Sequence, residues 1–155
     1  MHNYEARVSW ARGASEKFTD NRYSRAHEWA FDCGLTLRAS SSPSVVPLPL
    51  SVTDAVDPEE ALVASVSSCH MLYFLFFAAK RGFVVDSYVD NAAGVLEKNA
   101  NGKMSMSRIT LRPAIVFGGA TPSAADLDGL HHAAHDECFI ANSLKTEIVV
   151  EPVVQ

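Results

Sequence analysis

The chain has only three cysteines in 155 residues, too few for a disulfide scaffold and odd in number, so at least one thiol is left free. A reducing compartment is expected. It also has no Lys/Arg cluster: 18 acidic and 13 basic residues leave a net charge of -5, spread along the sequence. No nucleic-acid partner is expected of such a surface. The start, Met1-His2-Asn3-Tyr4-Glu5, carries no basic segment followed by an apolar one, and a cytoplasmic protein is the reading. No C-x-x-C and no H-E-x-x-H is present. What is plentiful is apolar residue, 48% of the chain, enough for one core and one domain over residues 1–155.

One uncharged run, Ala61 to Ala79, approaches the length of a bilayer span. Ser65, Ser67, Ser68, Cys69 and His70 lie in its middle, with Glu59 and Glu60 before it and Lys80 and Arg81 after. A buried helix of a soluble protein fits this better than a membrane span. Its start is marked: Asp57 can cap, Pro58 suits the first helical position and Glu60 completes a box-like spacing, while Gly82 closes the helix. Being apolar on almost every face, it belongs at the centre of something.

Around it, Tyr4, Ala6, Val8 and Trp10 alternate with polar residues as in a half-buried strand. Trp29, Phe31, Cys33, Leu35 and Leu37 share the odd positions of a hairpin turning near Asp32-Cys33-Gly34. Ala14 to Arg22 is polar and loop-like, and the serines and prolines between Ala39 and Asp57 predict a long, irregular connection. Phe83 to Leu96 reads as one strand, Asn99 to Gly102 as a turn, and Arg108 to Phe117 as its antiparallel partner. A second helix over Ser123 to Asp136 and a last strand over Lys145 to Val150 complete an α+β pattern without internal repeats.

Cys33 shares the apolar alternation and reads as core. Cys69 lies mid-helix among Leu62, Val66, Leu72 and Tyr73, where it is either a small hydrophobe or a reactive thiol. Cys138 follows the second helix, where free backbone amides can support a thiolate. His131, His135 and Cys138, spaced i, i+4 and i+7, could instead ligate zinc, although a solvated polar face explains His131, His132 and His135 equally well.

Four segments, Asp57-Pro58-Glu59-Glu60-Ala61-Leu62, Ser68-Cys69-His70-Met71, Ala78-Ala79-Lys80-Arg81-Gly82-Phe83 and Cys138-Phe139-Ile140-Ala141-Asn142-Ser143-Leu144-Lys145, resemble the osmotically inducible protein C / organic hydroperoxide resistance (OsmC/Ohr) family. The likeness runs from about Asp57 onward, with agreement in strand pattern only before it. Members usually carry proline directly after the second cysteine, where this chain has Phe139. The resemblance implies an OsmC-like α+β fold, an intertwined homodimer, and a thiol peroxidase acting on organic hydroperoxides. In that chemistry Cys69 is the peroxidatic residue and Cys138 the resolving one. An external thiol, often a dihydrolipoyl group, restores both, and neither metal nor flavin is required.

A cysteine in an apolar helix has its pKa raised, so a cation must offset the desolvation. The family uses an arginine held by a glutamate, and Glu59 matches that glutamate. Arg25 shares the odd-numbered face of Trp29 and Phe31 and is preferred on pattern over Arg38, which alternates outward. Glu59 and Cys69 are ten residues apart on one helix, about 15 Å of rise, too far to share a site within one straight helix. Two copies of the helix crossing antiparallel would bring them together. The rival to an enzyme is a protein that binds an apolar small molecule in the same interior, with incidental thiols.

Overall fold

A computed structural model describes residues 1–153. The chain divides into two compact units, Met1–Ala61 and Leu62–Gln155. The first holds a three-stranded antiparallel sheet in the order β1 (Ala6–Ser9), β2 (His27–Phe31), β3 (Thr36–Ala39). Ala6 lies opposite Phe31 and Trp29 opposite Leu37. The hairpin turns where expected, through Gly34 at a φ of 84°, a left-handed conformation that favours glycine. Cys33 corrects the sequence reading: it sits in the turn itself and is exposed, because the alternation that includes Phe31 is interrupted there.

The polar stretch after β1 is ordered by one carboxylate. Glu16 accepts hydrogen bonds from the amides of Gly13 (2.8 Å) and Ser24 (2.9 Å), which hold its pKa below the usual range. The loop thus closed packs its aromatic residues together, with Phe18 stacked on Tyr23 at 4.7 Å and Trp10 edge-on to Tyr23 at 5.3 Å. The serine-rich connection is also tied down. Ser40 donates its amide to Val56 (3.0 Å), and its hydroxyl accepts from the amide of Val52 (3.1 Å).

Helix α1 (Pro58–Lys80) starts as the sequence predicts: the Asp57 carboxylate accepts from the amide of Glu60 at 2.8 Å, and Pro58 takes the first helical position. It ends at Gly82, φ 81°, with the Phe83 amide returning to the Ala78 carbonyl (2.9 Å). By length and composition α1 could cross a membrane. Its buried residues nevertheless form a single stripe at i+4 spacing, Val66, His70, Phe74 and Ala78. Val66 packs with Ile109 and Leu111, while Phe74 and Ala78 pack with Leu130 and Ala134. Leu72 and Phe76 remain more than half exposed on the other side.

The long hairpin expected over residues 83–117 is broken in both arms. It forms β4 (Val85–Asp90), β5 (Ala93–Lys98), β6 (Met104–Leu111) and β7 (Pro113–Phe117), with β4 pairing β7 and β5 pairing β6, both antiparallel. The break falls where Pro113, which has no amide hydrogen, lies opposite Asp90. Asp90 receives the Arg112 amide (2.6 Å) and the Ser67 hydroxyl (2.5 Å), which fastens the corner to α1. Helix α2 (Ala124–Glu137), capped by Ser123, and the short α3 (Phe139–Asn142) lead to β8 (Glu147–Val150), which joins β6 in parallel.

Between α1 and α2 lies a buried pair of imidazoles. His70 Nε2 and His131 Nδ1 are 3.1 Å apart, the rings stack within 10° of parallel, and Phe74 covers His131 at 4.6 Å between centroids. Burial, then the other imidazoles, lowers the pKa of His70 to about 4; burial lowers His131 to about 4 against the pull of Asp128 and Asp90. The outer nitrogens, His70 Nδ1 and His131 Nε2, meet no protein partner among the described residues. One hydrogen bond contributes about 1 kcal/mol, whereas each buried unpartnered nitrogen costs about 1–3 kcal/mol.

In the unfolded chain these rings titrate near 6.5. Between that value and about 4 the unfolded chain binds more protons, so stability is full above pH 6.5 and falls as the pH drops. Urea unfolding at pH 7 and pH 5 is expected to show a loss of about 1–2 kcal/mol per imidazole, largely removed in His70→Leu/His131→Phe. An equal loss in that double variant would assign the acid sensitivity to other groups.

Candidate active site

Three elements place the two thiols. Cys69 lies at the middle of α1, one turn before Tyr73. Cys138 is both the last cap of α2 and the first of α3, its amide bonded to the His135 carbonyl (3.2 Å). The structure brings these two cysteines together: the Cys69 side chain is one of the groups that raise the Cys138 thiol. Cys69 is half-buried and Cys138 is 1% exposed. Both are reduced.

The free amides expected after α2 are present, and Ala141 donates to Cys138 Sγ at 3.4 Å. Burial outweighs them. With the hydrogen bond to Cys69 it pushes the Cys138 thiol up to about 11, so the thiol is the resting form at neutral pH. That corrects the expectation of a supported thiolate. A cleft of about 590 Å³ opens over Cys69, walled by Leu72, Tyr73, Phe76, Phe139 and Ile140. Phe139, where proline is usual, occupies the first position of α3 and stands edge-on to Tyr73 at 5.4 Å. Apolar packing first, then Cys69, holds the Tyr73 phenol above its usual range, so it stays protonated and available as a donor.

Arg25 and Glu59 line a second cleft, about 500 Å³, in the first unit, with Trp10 and Tyr23. β2 begins only at His27, so Arg25 precedes the strand whose face suggested it. Its guanidinium lies over the Tyr23 ring, 3.8 Å from the centroid, and donates to the Asn21 side chain (2.8 Å) and to the Tyr23 carbonyl. No ion pair joins it to Glu59 among the described residues. Arg38 is paired with Asp54 and exposed.

Among the described residues no three His, Cys, Asp or Glu side chains gather into a metal-binding group. Of the zinc candidates, His131 gives its Nδ1 to His70 and Cys138 faces Cys69. Sequence reasoning missed the His70–His131 pair. The signal was the i+4 spacing of Val66, His70, Phe74 and Ala78, which makes His70 an inward residue.

An α+β chain with two facing cysteines on adjoining helices defines a thiol-bearing class of protein. The model of the family described as OsmC-like protein matches residues 52–153, and the chain belongs to that family. It is similar to an OsmC-like protein of unknown function from Vibrio cholerae, 55% identical over 99% of this chain and 100% of that one, with a TM-score of 0.96. Two more distant structures share the fold. An organic hydroperoxide resistance protein OsmC from Legionella pneumophila is 13% identical over 99% and 98% of the two chains (TM-score 0.73). The organic hydroperoxide resistance protein OhrB of Bacillus subtilis is 14% identical over 98% of each (TM-score 0.68). No curated protein matches the sequence.

The burial of Cys138 has a direct consequence for alkylation, which needs thiolate. With the native protein at pH 8, iodoacetamide is expected to label exposed Cys33 at least tenfold faster than Cys138, read by peptide mass spectrometry at short times. Labelling of Cys138 at the rate of Cys33 would show that its thiol is not held protonated.

Proposed function

We propose that the protein is a two-cysteine, thiol-dependent peroxidase that reduces organic hydroperoxides to alcohols, with the whole chain serving as one OsmC-like domain. The observation that carries this reading is the contact between Cys69 and Cys138 at the base of an apolar cleft. The Cys69 thiolate attacks the distal peroxide oxygen, the O–O bond breaks, and the alkoxide leaves as alcohol after taking up a proton. The Cys69 sulfenic acid then condenses with the Cys138 thiol, forming a disulfide and water. An external dithiol, such as a dihydrolipoyl group, reduces the disulfide by exchange.

Family membership and the named activity of distant relatives agree with this chemistry. The division of roles follows from exposure. Half-buried Cys69 lines the substrate cleft, whereas Cys138 is buried beside it and is not among the residues that line the cleft. The walls favour a hydroperoxide with an apolar body over hydrogen peroxide.

The functional unit in this proposal is a homodimer. Leu72, Phe76 and Phe139 leave a wide apolar surface around Cys69, which a second copy would cover. Crossing α1 helices would also bring Arg25 and Glu59 of one chain to Cys69 of the other and supply the cation that its thiolate needs.

Cys69→Ser is expected to abolish hydroperoxide consumption, whereas Cys138→Ser still undergoes one oxidation per chain but loses turnover. Mass spectrometry after one equivalent of an alkyl hydroperoxide is expected to show a Cys69–Cys138 disulfide in the wild type; unmodified thiols would refute the proposal. Light scattering at micromolar concentration should report twice the chain mass, and a monodisperse monomer would defeat the two-copy site.

A further inference from the structure

Disulfide formation asks for geometry of a strictness that the helix contacts do not supply. Two sulfurs must come within about 2.05 Å, while sliding α2 along α1 by one residue displaces it about 1.5 Å and turns its side chains by about 100°. Cys138 follows any such movement, because its amide is bonded to His135 in the last turn of α2. Phe74, Ala78, Leu130 and Ala134, which join the helices, are apolar, and apolar contact is non-directional.

Apart from the Cys69–Cys138 contact itself, the directional contact found between the helices among the described residues is the 3.1 Å bond between His70 Nε2 and His131 Nδ1. It lies next to the chemistry: His70 follows Cys69 directly on α1, and His131 is seven residues, about two turns, before Cys138 on α2. Both rings are at least nine-tenths buried, and each has its outer nitrogen without a protein partner. Their charged neighbours are Asp128 and His135 on α2 and Asp90 at the end of β4. With burial dominant both rings are neutral at neutral pH, so the bridge is a single N–H···N bond. A buried pair with strict geometry is suited to specifying alignment, as a single polar residue does in a coiled-coil core.

We propose that His70 and His131 are positioning residues for disulfide formation: their hydrogen bond holds α2 on α1 at the one offset that seats Cys138 against Cys69. The step they serve, on the peroxidase reading, is attack of the Cys138 sulfur on the Cys69 sulfenic acid. The S–S bond forms as the S–O bond breaks, and the oxygen leaves as water with the thiol proton. No further oxidant is needed. The preceding attack on peroxide does not involve Cys138 and is independent of the clamp.

The test uses the full chain. His131→Phe removes the bridging nitrogen but keeps a ring against Phe74, whereas His131→Asn and His70→Gln retain a polar atom near the bridging position. Reduced protein is mixed with one equivalent of cumene hydroperoxide, and sulfenic acid, trapped with dimedone, and disulfide are followed by mass spectrometry. His131→Phe is expected to form sulfenic acid within threefold of the wild-type rate and disulfide at least tenfold more slowly, while His131→Asn and His70→Gln recover the disulfide rate to within threefold. A disulfide rate in His131→Phe within twofold of wild type overturns the clamp, as does failure of both conservative variants to recover it. If His131→Phe does not fold, the conservative variants decide: a tenfold loss of disulfide rate in either overturns the proposal, and rates within threefold uphold it. A parallel series with diamide, which oxidises the two thiols to a disulfide without peroxide, keeps the two ideas apart. Unmodified thiols in the wild type, with neither sulfenic acid nor disulfide, would defeat the peroxidase reading alone, and the diamide rates would still judge the clamp.

Discussion

The junction of α1 with α2 excludes water between Phe74 and Ala78 on one helix and Leu130 and Ala134 on the other, and the rest of the molecule's chemistry hangs from it. Cys69 belongs to the first helix and Cys138 to the end of the second, so their contact exists only while that junction is closed. The same exclusion of water sets their roles. A thiol titrating at about 11 is ionised to about one part in ten thousand at pH 7. Cys138 is therefore a poor first nucleophile towards a peroxide. It becomes useful once Cys69 carries an electrophilic sulfur within its reach, which is the order of events that the proposed cycle requires.

Activation of Cys69 is a separate problem of charge, since the peroxidase reading asks for a thiolate there and a cation to attend it. Its cleft is walled by aliphatic and aromatic side chains, with the Ser65 and Ser68 hydroxyls and the Tyr73 phenol as its other polar groups and no cation among them. Arg25 is anchored by Asn21 and Tyr23 in a cleft that it shares with Glu59. Glu59 is about 15 Å of helical rise from Cys69. The antiparallel second helix of the proposed dimer would answer this separation and also the exposure of Leu72 and Phe76. One arrangement thus meets an electrostatic need and a hydrophobic one.

What could be read from the residues was what local chemistry decides. Asp57-Pro58 fixed the start of α1 and Gly82 its end, and Ser123 capped α2, because capping depends on three or four neighbouring residues. The hairpin at Asp32-Cys33-Gly34 was visible for the same reason. Cys33 was misread because residues in a turn do not continue the alternation of their strands. The corner at Asp90 and Pro113 was not visible. It depends on a carboxylate reaching the Arg112 amide and the Ser67 hydroxyl from 22 and 23 residues away. Of the site, the two cysteines were legible as a resemblance. The imidazole pair was hidden, since residues 61 apart share no local pattern.

Phe139 shows why specificity has to be read from this chain's own residues. At the first position of α3 a proline would suit the backbone, having a fixed φ and needing no amide hydrogen. Phenylalanine keeps the same helical start, as the bond from the Ala141 amide to Cys138 Sγ demonstrates. The backbone that presents Cys138 is thus preserved without the proline. What changes is the cleft: a ring edge-on to Tyr73 adds an apolar wall beside Cys69. Relatives at 13% and 14% identity establish the fold, and the 55% identical one has no known function, so none of them describes that wall. In this chain Phe139 therefore both starts α3 beside Cys138 and lines the cleft beside Cys69.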